Sequence, residues 1–70
     1  MNPLTETEVK RVAWLTFPDA HSVRVTHLGD EHAWISIEVG PDTNPHERTF
    51  CYDPACETFN GAQGVVEAVL

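Results

Sequence analysis

Asp53-Pro54-Ala55-Cys56-Glu57-Thr58-Phe59-Asn60-Gly61-Ala62-Gln63-Gly64-Val65-Val66-Glu67-Ala68-Val69-Leu70 is the stretch that decides the fold of this chain, because it reads two ways. Asp53-Pro54-Ala55-Cys56 suits a type I turn with proline at its second position, and equally a helix start with Asp53 as N-cap and Pro54 at N1. Asn60 and Gln63 have the spacing of a second helix cap. Beyond them Ala62, Val65, Val66, Val69 and Leu70 fall at i, i+3, i+4, i+7 and i+8, an unbroken helical face. Against a helix stand the valines and Gly64, the glycine alone costing about 1 kcal/mol relative to alanine. The periodicity outweighs that cost, so residues 61–70 are expected to form a closing helix rather than a strand, docked on the core.

The segments before it are plainer. Glu47-Arg48-Thr49-Phe50-Cys51-Tyr52 reads as a strand with Phe50 and Tyr52 on one side, after the loop Gly40-Pro41-Asp42-Thr43-Asn44-Pro45. In Ala33-Trp34-Ile35-Ser36-Ile37-Glu38-Val39 the alternation is strict, with Ala33, Ile35, Ile37 and Val39 on one face and Trp34, Ser36 and Glu38 on the other. Ser22–Leu28 precedes it across the turn Gly29-Asp30-Glu31, so the two make a hairpin. In that first strand Val23, Val25 and His27 point one way, and Arg24, Thr26 and Leu28 the other.

At the other end, Thr5 and Glu8 have capping-box spacing, with Leu4 and Val9 placed to form a hydrophobic staple. Val9, Val12, Ala13, Thr16 and Phe17 share a helical face, and Pro18 stops the helix, giving a helix over 6–17. The expected fold class is α+β. It is a single domain over 1–70, with an N-terminal helix, a three-stranded antiparallel sheet and a C-terminal helix (α-β-β-β-α).

That element order is similar to the double-stranded-RNA-binding domain. The family grips phosphates with a lysine-rich start to its last helix, whereas Asn60-Gly61-Ala62-Gln63-Gly64-Val65 holds no basic residue, so the similarity stops at element order.

Eleven acidic residues against four basic ones give a formal charge of −7 on seventy residues. Such a surface repels phosphate backbones and anionic membranes and favours basic protein surfaces. No apolar run approaches the roughly 20 residues of a membrane span. Met1-Asn2-Pro3-Leu4-Thr5-Glu6 lacks the pattern of a secretory leader, and two cysteines are too few for a disulfide scaffold, so the cytoplasm is the expected compartment.

The expected function is that of a small acidic, non-catalytic protein-binding module, a regulator or inhibitor of a larger basic protein. Trp34, on the strand face opposite the aliphatics, forms the core of its contact patch with Leu28, Thr26 and Arg24. Trp14, about 140° around the helix from Val9, is a second candidate anchor. Glu38 and Glu47 are acids with no cap or turn to explain them, as are Glu57 and Glu67. A charge ridge through Glu38 and Glu47 would suit a DNA-mimicking inhibitor, although a register that keeps these like charges apart is expected. A zinc-stabilised domain is a further alternative. His27 and His32 flank the first strand turn, Cys51 and Cys56 flank the next, and two histidines with two cysteines make a zinc ligand count. No cofactor is expected. The nucleophile candidates Cys51, Cys56, Ser22 and Ser36 lack a recognisable base, so no enzymatic activity is expected.

Overall fold

The computed structural model describes residues 4–70; Met1–Pro3, part of the stretch read above for a leader, lie outside the described residues. Helix α1 spans Glu6–Thr16. Its cap is as the sequence predicts, with the Glu8 amide donating to Thr5 Oγ1 at 3.2 Å. The Glu8 carboxylate does not turn back to complete the box; it pairs with Arg11 at 2.6 Å instead. Val9, Val12 and Ala13 are fully buried. Leu4 is partly buried and packs against the same core.

Five strands follow as an antiparallel meander in chain order: β1 Ser22–Leu28, β2 Ala33–Val39, β3 His46–Asp53, β4 Thr58–Gly61 and β5 Gly64–Glu67. The chain is α+β, but the expected three-stranded sheet and closing helix are wrong. The tail is a β-hairpin that adds two strands to the sheet.

Local chemistry explains the correction. Asp53 Oδ1 accepts from the amides of Ala55 and Cys56 at 3.0 and 3.3 Å, so Asp53 caps a turn and not a helix. Glu57 then sits at φ 56, a left-handed conformation that reverses the chain and cannot continue a helix. Asp53 pairs with Thr58, and β4 runs back along β3. The second reversal needs only Ala62 and Gln63 between the paired glycines Gly61 and Gly64, with Gly64 at φ 138. The apolar spacing of the tail thus belongs to two short strands. Phe59 and Val66 pair across them and pack on the core, while Val65 faces solvent.

What fixes the hairpin is aromatic packing. Phe59 is fully buried. Its ring lies 4.8 Å from Tyr52, 5.2 Å from Phe17 and 6.4 Å from Phe50, and Phe17 stacks on Phe50 at 4.8 Å. A buried aromatic or aliphatic side chain of this size stabilises by about 1.5–3 kcal/mol, and aromatic pairs add about 0.5–1.5 kcal/mol. Gly61 pairs with Phe50, and a Cβ there would stand 2.7 Å from the Phe50 ring. The remaining core is Val9, Val12, Ala13, Ala20, Val23, Ala33, Ile35 and Ile37, where the helix face is laid on one sheet face. The tail is also tied to the helix, because the Val69 amide donates to Thr16 Oγ1 at 2.9 Å.

Gly61→Ala separates the two readings of the tail by sign. In a helix it would stabilise the protein by about 1 kcal/mol. Under the Phe50 ring it is expected to destabilise by about 1–3 kcal/mol in urea unfolding.

Candidate functional site

The helix covers only part of one sheet face. An 11-residue helix is about 16 Å long, while five strands at about 4.8 Å spacing are broader. On the covered side a groove of about 590 Å³ therefore remains between Phe17, Val39, Phe50, Gly61 and Val66. Sequence reasoning missed it because it placed a second helix over this region.

Among the described residues the opposite face carries no helix. Ladder partners share a face, so the register defines its rows. One row runs His27, Trp34, Cys51, Asn60, Val65 across all five strands. Trp34 is 42% exposed near its middle. Asp53, Thr58 and Glu67 lie at one end of the face; Ser22, Glu38 and Glu47 lie at the other.

Most of the expected patch lies here. Arg24 pairs with Ser36 on this face, and Thr26 donates from its hydroxyl to the Trp34 carbonyl at 3.3 Å. Leu28 does not belong to the patch. A bulge between Val25 and His27 shifts the alternation by one residue, so His27 joins Trp34 and Leu28 comes opposite Ala33. Trp14 is also exposed, at 41%, but on the helix at the far side of the sheet. One flat partner cannot cover both tryptophans.

Glu38 and Glu47 are direct cross-strand partners, contrary to the expectation that register keeps them apart. Burial of Ala33, Ile35, Phe50 and Tyr52 on one face fixes the register, and Arg24, reaching over β2 to Glu47 Oε2 at 3.2 Å, offsets part of the repulsion. Beneath this ion pair Ser36 is only 5% exposed, and its Oγ has no hydrogen-bond partner. Ser22, Arg24, Ser36, Glu38 and Glu47 line a hollow of about 230 Å³. Of the other two unexplained acids, Glu57 makes the left-handed turn and Glu67 lies opposite Thr58.

The zinc set does not assemble: among the described residues no three His, Cys, Asp or Glu side chains gather as a metal site. His27 and Cys51 share a row but have Trp34 between them, a separation of about 10 Å at ordinary strand spacing, too wide for one zinc ion. Both cysteines are unpaired thiols. Burial and then the Asp53 charge raise the Cys51 pKa, and a hydrogen bond to Asp53 raises that of Cys56. Both are held away from the thiolate form.

Ion pairs join Lys10 to Glu6, Arg11 to Glu8 and Arg24 to Glu47, so three of the four basic side chains are already neutralised locally. Among the described residues no helix is long and apolar enough to cross a membrane. No protein-family model, curated protein or solved structure matches the chain.

A buried hydroxyl without a partner costs about 1–3 kcal/mol. Ser36→Ala is therefore expected to leave thermal stability unchanged or raise it by about 1 kcal/mol. A core serine holding a structural hydrogen bond would instead lose stability on the same substitution.

Proposed function

We propose that this chain is a small, acidic, non-catalytic protein-binding module that regulates or inhibits a larger partner with a basic surface. The observation that carries the reading is Trp34, half-exposed near the centre of a broad sheet face that no helix covers, with carboxylates at both ends of that face. An aromatic anchor inside a charged rim is the usual anatomy of a protein interface, and the rim here would steer a positively charged partner. The net charge of −7, with most cations already paired, supports the same sign of partner and disfavours nucleic acid.

The raised thiol pKa values support a non-catalytic role. The two unpaired thiols are in keeping with a reducing, cytoplasmic setting. A DNA-mimicking surface is less well supported. On β3 the acids Glu47 and Asp53 stand six residues, or about 20 Å, apart with Thr49 and Cys51 between them on the same face, so they do not form a phosphate-like ridge.

Capture of partners from the native host tests the reading. Trp34→Ala is expected to abolish capture while the far-ultraviolet circular dichroism spectrum stays unchanged, and Trp14→Ala is expected to retain it. Full capture by the Trp34→Ala variant would reject the open face as the contact surface.

A further inference from the structure

The groove on the helix side of the sheet joins two features that the rest of the fold leaves unused. The first is apolar surface. Phe17, Val39 and Val66 pack against the core, yet each is only half-buried, and all three line the groove together with Phe50. Its volume of about 590 Å³ is in the range of a small-molecule site. The second is a free cation. Arg48 is the ladder partner of Ile37, so it stands on the helix-covered face, and it lines the same groove. It is exposed, and among the described residues no ion pair or hydrogen bond reaches its guanidinium, whereas Lys10, Arg11 and Arg24 are each paired with a carboxylate. The neighbouring Glu47 does not serve it, because Arg24 holds that carboxylate on the opposite face. A chain with eleven acidic residues thus leaves one arginine unmatched, beside its largest apolar hollow.

We propose that this groove binds a small monocarboxylate with an apolar body. The body covers Phe17, Val39 and Val66, and the carboxylate pairs with Arg48. Removal of apolar surface from water supplies most of the affinity, because an exposed ion pair contributes little alone. Arg48 selects the sign and orientation of the ligand, since a guanidinium takes a carboxylate through two parallel hydrogen bonds. An amphiphile with an ammonium head would meet like charge there, and an uncharged one would leave the guanidinium unserved. The groove and Trp34 lie on opposite sides of the sheet, so the small-molecule site is separate from the protein-contact face and does not rest on it.

Decanoate, below its micelle-forming concentration, and 4-phenylbutanoate serve as probes, followed through the backbone amide signals of the full chain. The expected result is saturable change centred on Phe17, Val39, Arg48, Phe50 and Val66 with at least one of them, and the tighter probe tells an acyl body from an aryl one. Arg48→Gln should weaken that probe about fivefold or more with the melting temperature unchanged. Arg24→Gln removes the same charge from the opposite face and should change affinity by less than about twofold. Decylamine should bind more weakly than decanoate to the wild-type chain, and Arg48→Gln should narrow that difference. Absence of saturable change with both carboxylates would overturn the proposal. Equal losses from Arg48→Gln and Arg24→Gln would also overturn it, in favour of diffuse charge attraction. So would decylamine binding as tightly as decanoate at the same residues, or acetate at matched concentration reproducing the changes.

Discussion

The structure depends on the burial of Phe59 among Phe17, Phe50 and Tyr52. These four rings come from the end of the helix, the third strand and the tail, so their contact joins the two ends of the chain through the sheet. A seventy-residue domain has little surplus stability, and one fully buried aromatic is a large share of it. With Phe59 inward, the period of two along β4 sets Thr58 and Asn60 outward, and Gly61 comes to lie beneath the Phe50 ring. Everything distinctive about the molecule follows from this arrangement. The tail is spent on widening the sheet, which leaves one face bare and a groove beside the helix.

A bare sheet face on a small domain must be either polar or used. This one is both: acids at its ends keep it solvated, and Trp34 near its middle offers apolar area. The Arg24–Glu47 pair across β2 gives the acidic corner its shape, covering Ser36 while leaving Glu38 unmatched. The positive charges that might have balanced the corner are tied up on the helix by Glu6 and Glu8. The resulting surface is specific in sign and in the position of its one large aromatic.

The helix and the first hairpin were legible because each rests on long, repeated local signals. Thr5 caps the helix, Val9, Val12 and Ala13 keep its period, and seven residues of β2 alternate without exception. The tail was not legible because four-residue strands are too short to establish a period. Val65, Val66 and Val69 fall at helical spacing although Val65 and Val66 point to opposite faces of a strand. The decisive residues, Phe59 and Gly61, acquire meaning only against Tyr52 and Phe50, their partners across the β3–β4 ladder, a pairing that no local pattern in the sequence displays. The exposure of Trp34 followed from alternation alone. The exclusion of Leu28 from its patch did not, since a bulge inverts the alternation with no mark in the residues themselves. The Glu38–Glu47 pairing and the sealed Ser36 hydroxyl depend on register and on an arginine reaching across a strand, which only the folded chain reveals.

The central claim is that residues 58–67 form two strands continuing the sheet. Nuclear Overhauser contacts across the ladder test it most directly. The account predicts backbone contacts between Cys51 and Asn60 and between Asn60 and Val65, with extended-chain couplings through Thr58–Gly61 and Gly64–Glu67. A continuous run of sequential amide–amide contacts from Ala62 to Val69, without those cross-strand contacts, would mark a helix and contradict it.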